Sequence, residues 1–137
     1  MQDYRKLTAW SRAHALALDV YRLTASIQGR EYPGLFTQLR RAAASIAANI
    51  VEGCGHSSQP EFARFLQMAS ASAIEVDYHL LLARDLGAID NVAYARLEAK
   101  TTQVQQLLGG LLRRVRKDLQ SSTARKPSPA KRTTPNA

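Results

Sequence analysis

The chain has 137 residues, 45% hydrophobic and 7% aromatic, with 19 Lys and Arg against 11 Asp and Glu for a formal charge of +8. This length suits one domain that buries roughly two-thirds of the surface its unfolded form would expose; the lone Cys54 excludes an internal disulfide, and the scattered His14, His56 and His79 offer no zinc framework. No apolar run approaches the ~20 residues of a membrane span and the first six residues hold no signal-type block, so the expected setting is the cytoplasm with no membrane partner.

Four segments carry helical periodicity. The first is expected over Thr8 to Gln28, where Ala13, Leu16, Val20, Leu23 and Ile27 form one apolar file and Trp10, His14, Ala17 and Tyr21 a second beside it. Two files are wider than the single stripe an isolated bundle needs. Trp10 and Tyr21 are therefore candidates for a contact with another subunit, the competing reading being ordinary core. After a break at Gly29, Tyr32, Pro33 and Gly34, the second segment is expected over Leu35 to Glu52 with Gly53 as its stop. Leu35, Leu39, Ala42, Ile46 and Ile50 form its apolar file, while Gln38, Arg41, Ser45, Asn49 and Glu52 form a polar file on one edge. The alanines from Ala42 to Ala48 keep this helix thin, so a neighbour can approach closely and any polar group trapped there needs a partner. Gln38, Ser45, Asn49 and Glu52 are accordingly read as helix or subunit interface residues.

The third segment has a capping box, with Ser58 at the N-cap, Pro60 in the first turn and Glu61 three residues after the cap. Its apolar face runs from Phe62 through Leu66, Ala69, Ala73, Val76 and Leu80 to Leu86, and Gly87 supplies the stop. The fourth begins near Asp90 or Asn91 and carries Tyr94, Leu97, Thr101, Val104, Leu108, Leu111 and Val115 at alternating steps of three and four. Gly109 and Gly110 interrupt it at about 1 kcal/mol each relative to alanine, which marks a close contact or a bend. No segment reads as a strand, so the fold class is all-α: an antiparallel up-down-up-down four-helix bundle over residues 1–119, assembled as a homo-oligomer.

Between Arg113 and Arg132 eight basic residues (Arg113, Arg114, Arg116, Lys117, Arg125, Lys126, Lys131 and Arg132) face one acid, Asp118, so this stretch holds nearly all the net charge. From Gln120 onward Ser, Thr, Pro, Lys and Arg dominate, and residues 120–137 are expected to be a disordered tail because they cannot bury enough surface to offset ordering entropy. The tail is either a polyanion-binding arm or a solubilising one.

Three stretches carry a family resemblance: Gln38-Leu39-Arg40-Arg41-Ala42, then Ser45-Ile46-Ala47-Ala48-Asn49-Ile50-Val51-Glu52-Gly53, then Glu61-Phe62-Ala63-Arg64-Phe65-Leu66. Together with Trp10 and Tyr21-Arg22-Leu23-Thr24, they resemble the four-helix-bundle proteins of intervening sequences in 23S ribosomal RNA genes. They are also similar to the accessory variability determinant proteins of diversity-generating retroelements. The resemblance spans about residues 7–117, with one departure at Ala71, where the family often has glycine before the serine found here at Ser72. It implies a homopentameric ring, and most members of the family have no assigned activity. The accessory subgroup implies nucleic acid, RNA or DNA, and a reverse transcriptase as partners.

No enzyme constellation is legible. Ser45, Asn49 and Glu52 have no adjacent histidine or metal-ligand set, Glu75 and Asp77 stand two apart on a helix and face away from each other, and Cys54 lacks a neighbouring base. Neither metal nor cofactor is expected. Arg40 and Arg41 are candidates for phosphate contacts beside the C-terminal basic residues, the competing reading being a solvated or intersubunit pair. The leading expectation is a non-enzymatic ring that binds nucleic acid through repeated basic surfaces, with service as an accessory factor one form of that role; the alternative is a protein-interaction scaffold with no nucleic-acid role.

Overall fold

The computed structural model describes residues 2–27, 32–56 and 58–125, with side chains as far as Ser122. A 3-10 turn, Tyr4–Lys6, precedes four helices: α1 (Thr8–Ser26), α2 (Pro33–Gly55), α3 (Gln59–Asp85) and α4 (Asn91–Arg125). The described residues contain no strand.

Local chemistry accounts for most boundaries. The Ser58 Oγ accepts the Glu61 N–H at 3.3 Å, while the Glu61 carboxylate turns to Arg64 at 3.0 Å. That hydrogen bond and charge hold the Glu61 carboxyl below the usual carboxylate range. Gly87 closes α3 in the left-handed region, at φ +75, where a side chain would be strained, and the Ala88 N–H reaches back to the Ala83 carbonyl at 2.8 Å. Asp90 then caps α4, its Oδ1 accepting the Ala93 N–H at 2.7 Å.

Several boundaries differ from the sequence reading. α2 starts at Pro33, whose fixed φ suits a first helical turn, and it runs through Gly53 to Gly55. Gly53 is therefore no stop: it is buried, and a Cβ there would lie 2.9 Å from the Phe65 Cβ and 3.0 Å from the Phe62 Cδ2. Its missing side chain lets α3 press against α2. α4 in turn continues to Arg125, past the boundary expected after Leu119. Residues 126–137, the rest of the expected tail, lie outside the described residues. So does Gln28, the expected end of the first helix, whereas α1 ends at Ser26.

Each helix packs on its neighbour in sequence, and α4 closes back onto α1. Leu16 and Val20 from α1, Leu39 and Ile46 from α2, Leu66 and Leu80 from α3, and Leu97 and Leu108 from α4 are fully buried in one core. Between α2 and α3, Ser45 meets Ser72 and Gly53 faces Phe62 and Phe65. Cys54 is buried in this core and its thiol is pushed up by burial first and by Asp3 second. The thiolate is the reactive form, so alkylation of Cys54 by iodoacetamide at neutral pH is expected only on unfolding. Full labelling within minutes under native conditions would contradict this burial.

Candidate nucleic-acid interface

α4 is an amphipathic rod with one side in the core. Leu108, Leu111, Leu112 and Val115 are buried, while Arg113, Arg114, Arg116 and Lys117 are all exposed on the remaining arc. Beyond Val115 only Leu119 is part-buried among the residues with described side chains. The four cations thus stand on a solvent-facing stretch of helix with Asp118 as the acid among them. Among the described residues none of the four forms an ion pair. Gly109 and Gly110 create neither a tight contact nor a break in this helix: a Cβ at either would meet just the Arg113 guanidinium, at 3.4 and 3.9 Å. The Arg125 side chain and Lys126, Lys131 and Arg132 lie outside what is described.

Arg40 and Arg41, adjacent in sequence, part company in space. The Arg40 Nε donates to the buried Thr24 Oγ1 at 2.6 Å and its guanidinium lies over the Tyr21 ring, 5.1 Å from the centroid. Thr24 in turn donates to the Val20 carbonyl at 2.8 Å, so Arg40 ties α2 to α1. Arg41 is exposed. Thr24 gave no signal of this in the sequence, because a threonine at a buried helical position reads as plain core.

The polar file of α2 divides likewise. The Asn49 Nδ2 donates to the Ser45 carbonyl at 2.9 Å and the Ser45 Oγ at 3.1 Å, and Ser45 and Ser72 share a hydrogen bond of 2.9 Å across α2 and α3. Gln38 and Glu52, at the two ends of the file, are exposed. On α3, the Nδ1 of His79 is buried without a hydrogen-bond partner among the described residues. Replacing Asn49 by leucine is expected to cost about 1 kcal/mol, because the Ser45 carbonyl and hydroxyl lose their Asn49 donor at a half-buried helix contact. Urea denaturation checks it, and an unchanged midpoint would place the file outside the fold's energetics.

Trp10 is half-buried, with the Tyr4 ring edge-on at 5.0 Å and the His14 ring stacked at 5.1 Å. Tyr21 is 47% exposed, and Leu18 beside it 40%. The second apolar file of α1 is thus divided, with Ala17 buried and His14 and Tyr21 on the surface, and α3 has exposed apolar residues of its own in Ile74 and Tyr78, 64% and 58% exposed.

A model for the family described as 23S rRNA-intervening sequence protein matches residues 5–110. The chain belongs to that family. The matched stretch takes in the Ser45, Asn49 and Gly53 contacts and stops short of Arg113, so the α4 cation cluster lies outside it. Among solved structures, a protein of unknown function from the S23 ribosomal protein family of Bacteroides thetaiotaomicron superposes with a TM-score of 0.72 at 23% identity. The superposition covers 77% of this chain and 98% of that one, and at this identity it speaks for the shared fold alone. Comparison with curated proteins gives no match. Among the described residues of this family member, no helix is long and apolar enough to cross a membrane, and no group of three or more His, Cys, Asp or Glu side chains could hold a metal ion.

Proposed function

We propose that this family member is a non-enzymatic, ring-forming protein of the cytoplasm that binds nucleic acid through basic surfaces repeated around the ring. The observation that carries the reading is the exposed set Arg113, Arg114, Arg116 and Lys117 on the outer arc of α4, without ion pairs among the described residues. Cations in such a row release counterions from a phosphate backbone, which favours binding with weak sequence preference and strong salt dependence. Repetition by symmetry would multiply the contacts without any new residue.

The bundle in this reading is antiparallel, up-down-up-down, as the oppositely running pairs of facing residues support. Ring closure needs two different, mutually complementary patches on one subunit, since a head-to-tail contact is what propagates around a cycle. Leu18 and Tyr21 on α1 and Ile74 and Tyr78 on α3 are two separate apolar patches suited to that role. A pentamer is the subunit number the family resemblance implies, and a reverse transcriptase the protein partner implied by the likeness to accessory variability determinants.

Two measurements test the proposal. Light scattering at micromolar concentration is expected to give several times the 15.1 kDa chain mass, and a monomer would remove the ring. Anisotropy titrations with single-stranded RNA and duplex DNA are expected to give affinities that fall steeply with salt. A ring that binds neither at low salt would make the protein an interaction scaffold.

A further inference from the structure

The basic surface of α4 does not end at its outer arc. Arg96, Lys100, Gln103, Leu107, Gly110 and Arg114 follow one another at alternating steps of four and three, so they share one edge of α4. Thr8, Arg12, Ala15 and Asp19 share one edge of α1 in the same way. Two observations place these edges side by side. Lys100 donates to the Asp19 carboxylate across the groove, and further along Lys6, Thr8 and Ala9 line a cleft of about 350 Å³ together with Leu107, Leu111 and Arg114.

The groove therefore collects Lys6, Arg12, Arg96, Lys100 and Arg114 around one carboxylate, Asp19, which Lys100 already engages. Lys6, Arg12, Arg96 and Arg114 are exposed, and among the described residues none forms an ion pair. From Arg96 to Arg114 the edge is about 27 Å long at the helical rise per residue. Surface cations kept for solubility are ordinarily interspersed with acids; here they line one groove over that length. Gly110 contributes no side chain to its wall, and Leu107 is half-buried between the helices. Arg114 belongs both to this groove and to the outer cluster, so a chain of phosphates can pass from one to the other without crossing an acidic surface; Asp118 stands one turn beyond it.

We propose that the α1–α4 groove is a track for the phosphate backbone of a nucleic-acid strand, with Lys6, Arg12 and Arg96 as binding residues besides the α4 cluster. The inference rests on the nucleic-acid reading above and names the surface that carries the strand. Phosphate is the occupant that suits it, because the free cations of the groove are chiefly arginines, whose planar forks match phosphate oxygens and need only meet a negatively charged backbone.

The test is the full-chain variant Lys6→Gln/Arg12→Gln/Arg96→Gln, titrated with a fluorescent single-stranded RNA across a salt series. Melting temperature and assembly mass should match the parent, since all three side chains are exposed. Affinity at moderate salt is expected to fall about tenfold or more, and the slope of log affinity against log salt to flatten by about 2, near 0.7 for each single-strand phosphate no longer neutralised. Parental affinity and slope in this variant, with binding abolished in the Arg113/Arg114/Arg116/Lys117 alanine variant, would overturn the track and leave nucleic-acid binding standing. Absence of RNA binding by the parent itself would overturn both. Groove-dependent binding of polyglutamate without binding of RNA would assign the groove to an acidic protein surface and overturn the phosphate track.

Discussion

Replacing Gly53 by valine is expected to destabilise the protein by about 3 kcal/mol, and by alanine by about 1–3 kcal/mol. Helix propensity alone predicts the opposite sign, since alanine is favoured over glycine by about 1 kcal/mol inside a helix. The contacts decide between them. A new Cβ would meet the Phe65 Cβ at 2.9 Å, and that atom is fixed to the α3 backbone; the Phe62 ring at 3.0 Å is itself buried and has little room to turn. The strain therefore falls on the α2–α3 spacing, which also sets the Ser45–Ser72 hydrogen bond. Chemical denaturation of both variants measures the effect. A midpoint for Gly53→Ala equal to or above the parent's would mean that the helices part at little cost and that close approach is not why glycine stands there.

Replacing Arg113, Arg114, Arg116 and Lys117 together by alanine is expected to flatten the log–log salt dependence of duplex DNA binding by about 3 to 4, near 0.9 for each phosphate that loses its cation. Stability should move by no more than about 0.5 kcal/mol, as for surface positions away from special features. A structural role through the helix dipole, which acts within the last turn, is removed by the length of α4: the helix runs on to Arg125, two turns past Lys117. Fold and affinity thus separate cleanly in this variant. Unchanged affinity and slope with the assembly intact would defeat the nucleic-acid reading and favour the scaffold.

Several local features are legible in the order of the amino acids. The period of Leu39, Ile46 and Ile50, the Ser58 cap and the Gly87 stop each rest on residues within a few positions of one another, and all recur in the structure at those places. The clustering of charge in α4 is equally legible, because helical exposure follows from the same period that buries Leu108, Leu111 and Val115. Which distant residues share a surface is settled by packing alone. Gly53 reads as a stop because a glycine at the end of an apolar file has the same local signature whether it ends a helix or admits Phe65. Arg40 and Arg41 read as a pair, although one is drawn to Thr24 on α1 and the other faces solvent. Lys6 and Arg114, over one hundred residues apart in sequence, line one cleft because α4 packs against α1. The physical reason is common to all three: helical period and caps are set by neighbours along the chain, whereas close approach, buried hydrogen bonding and summed charge depend on the register between helices, which only packing establishes.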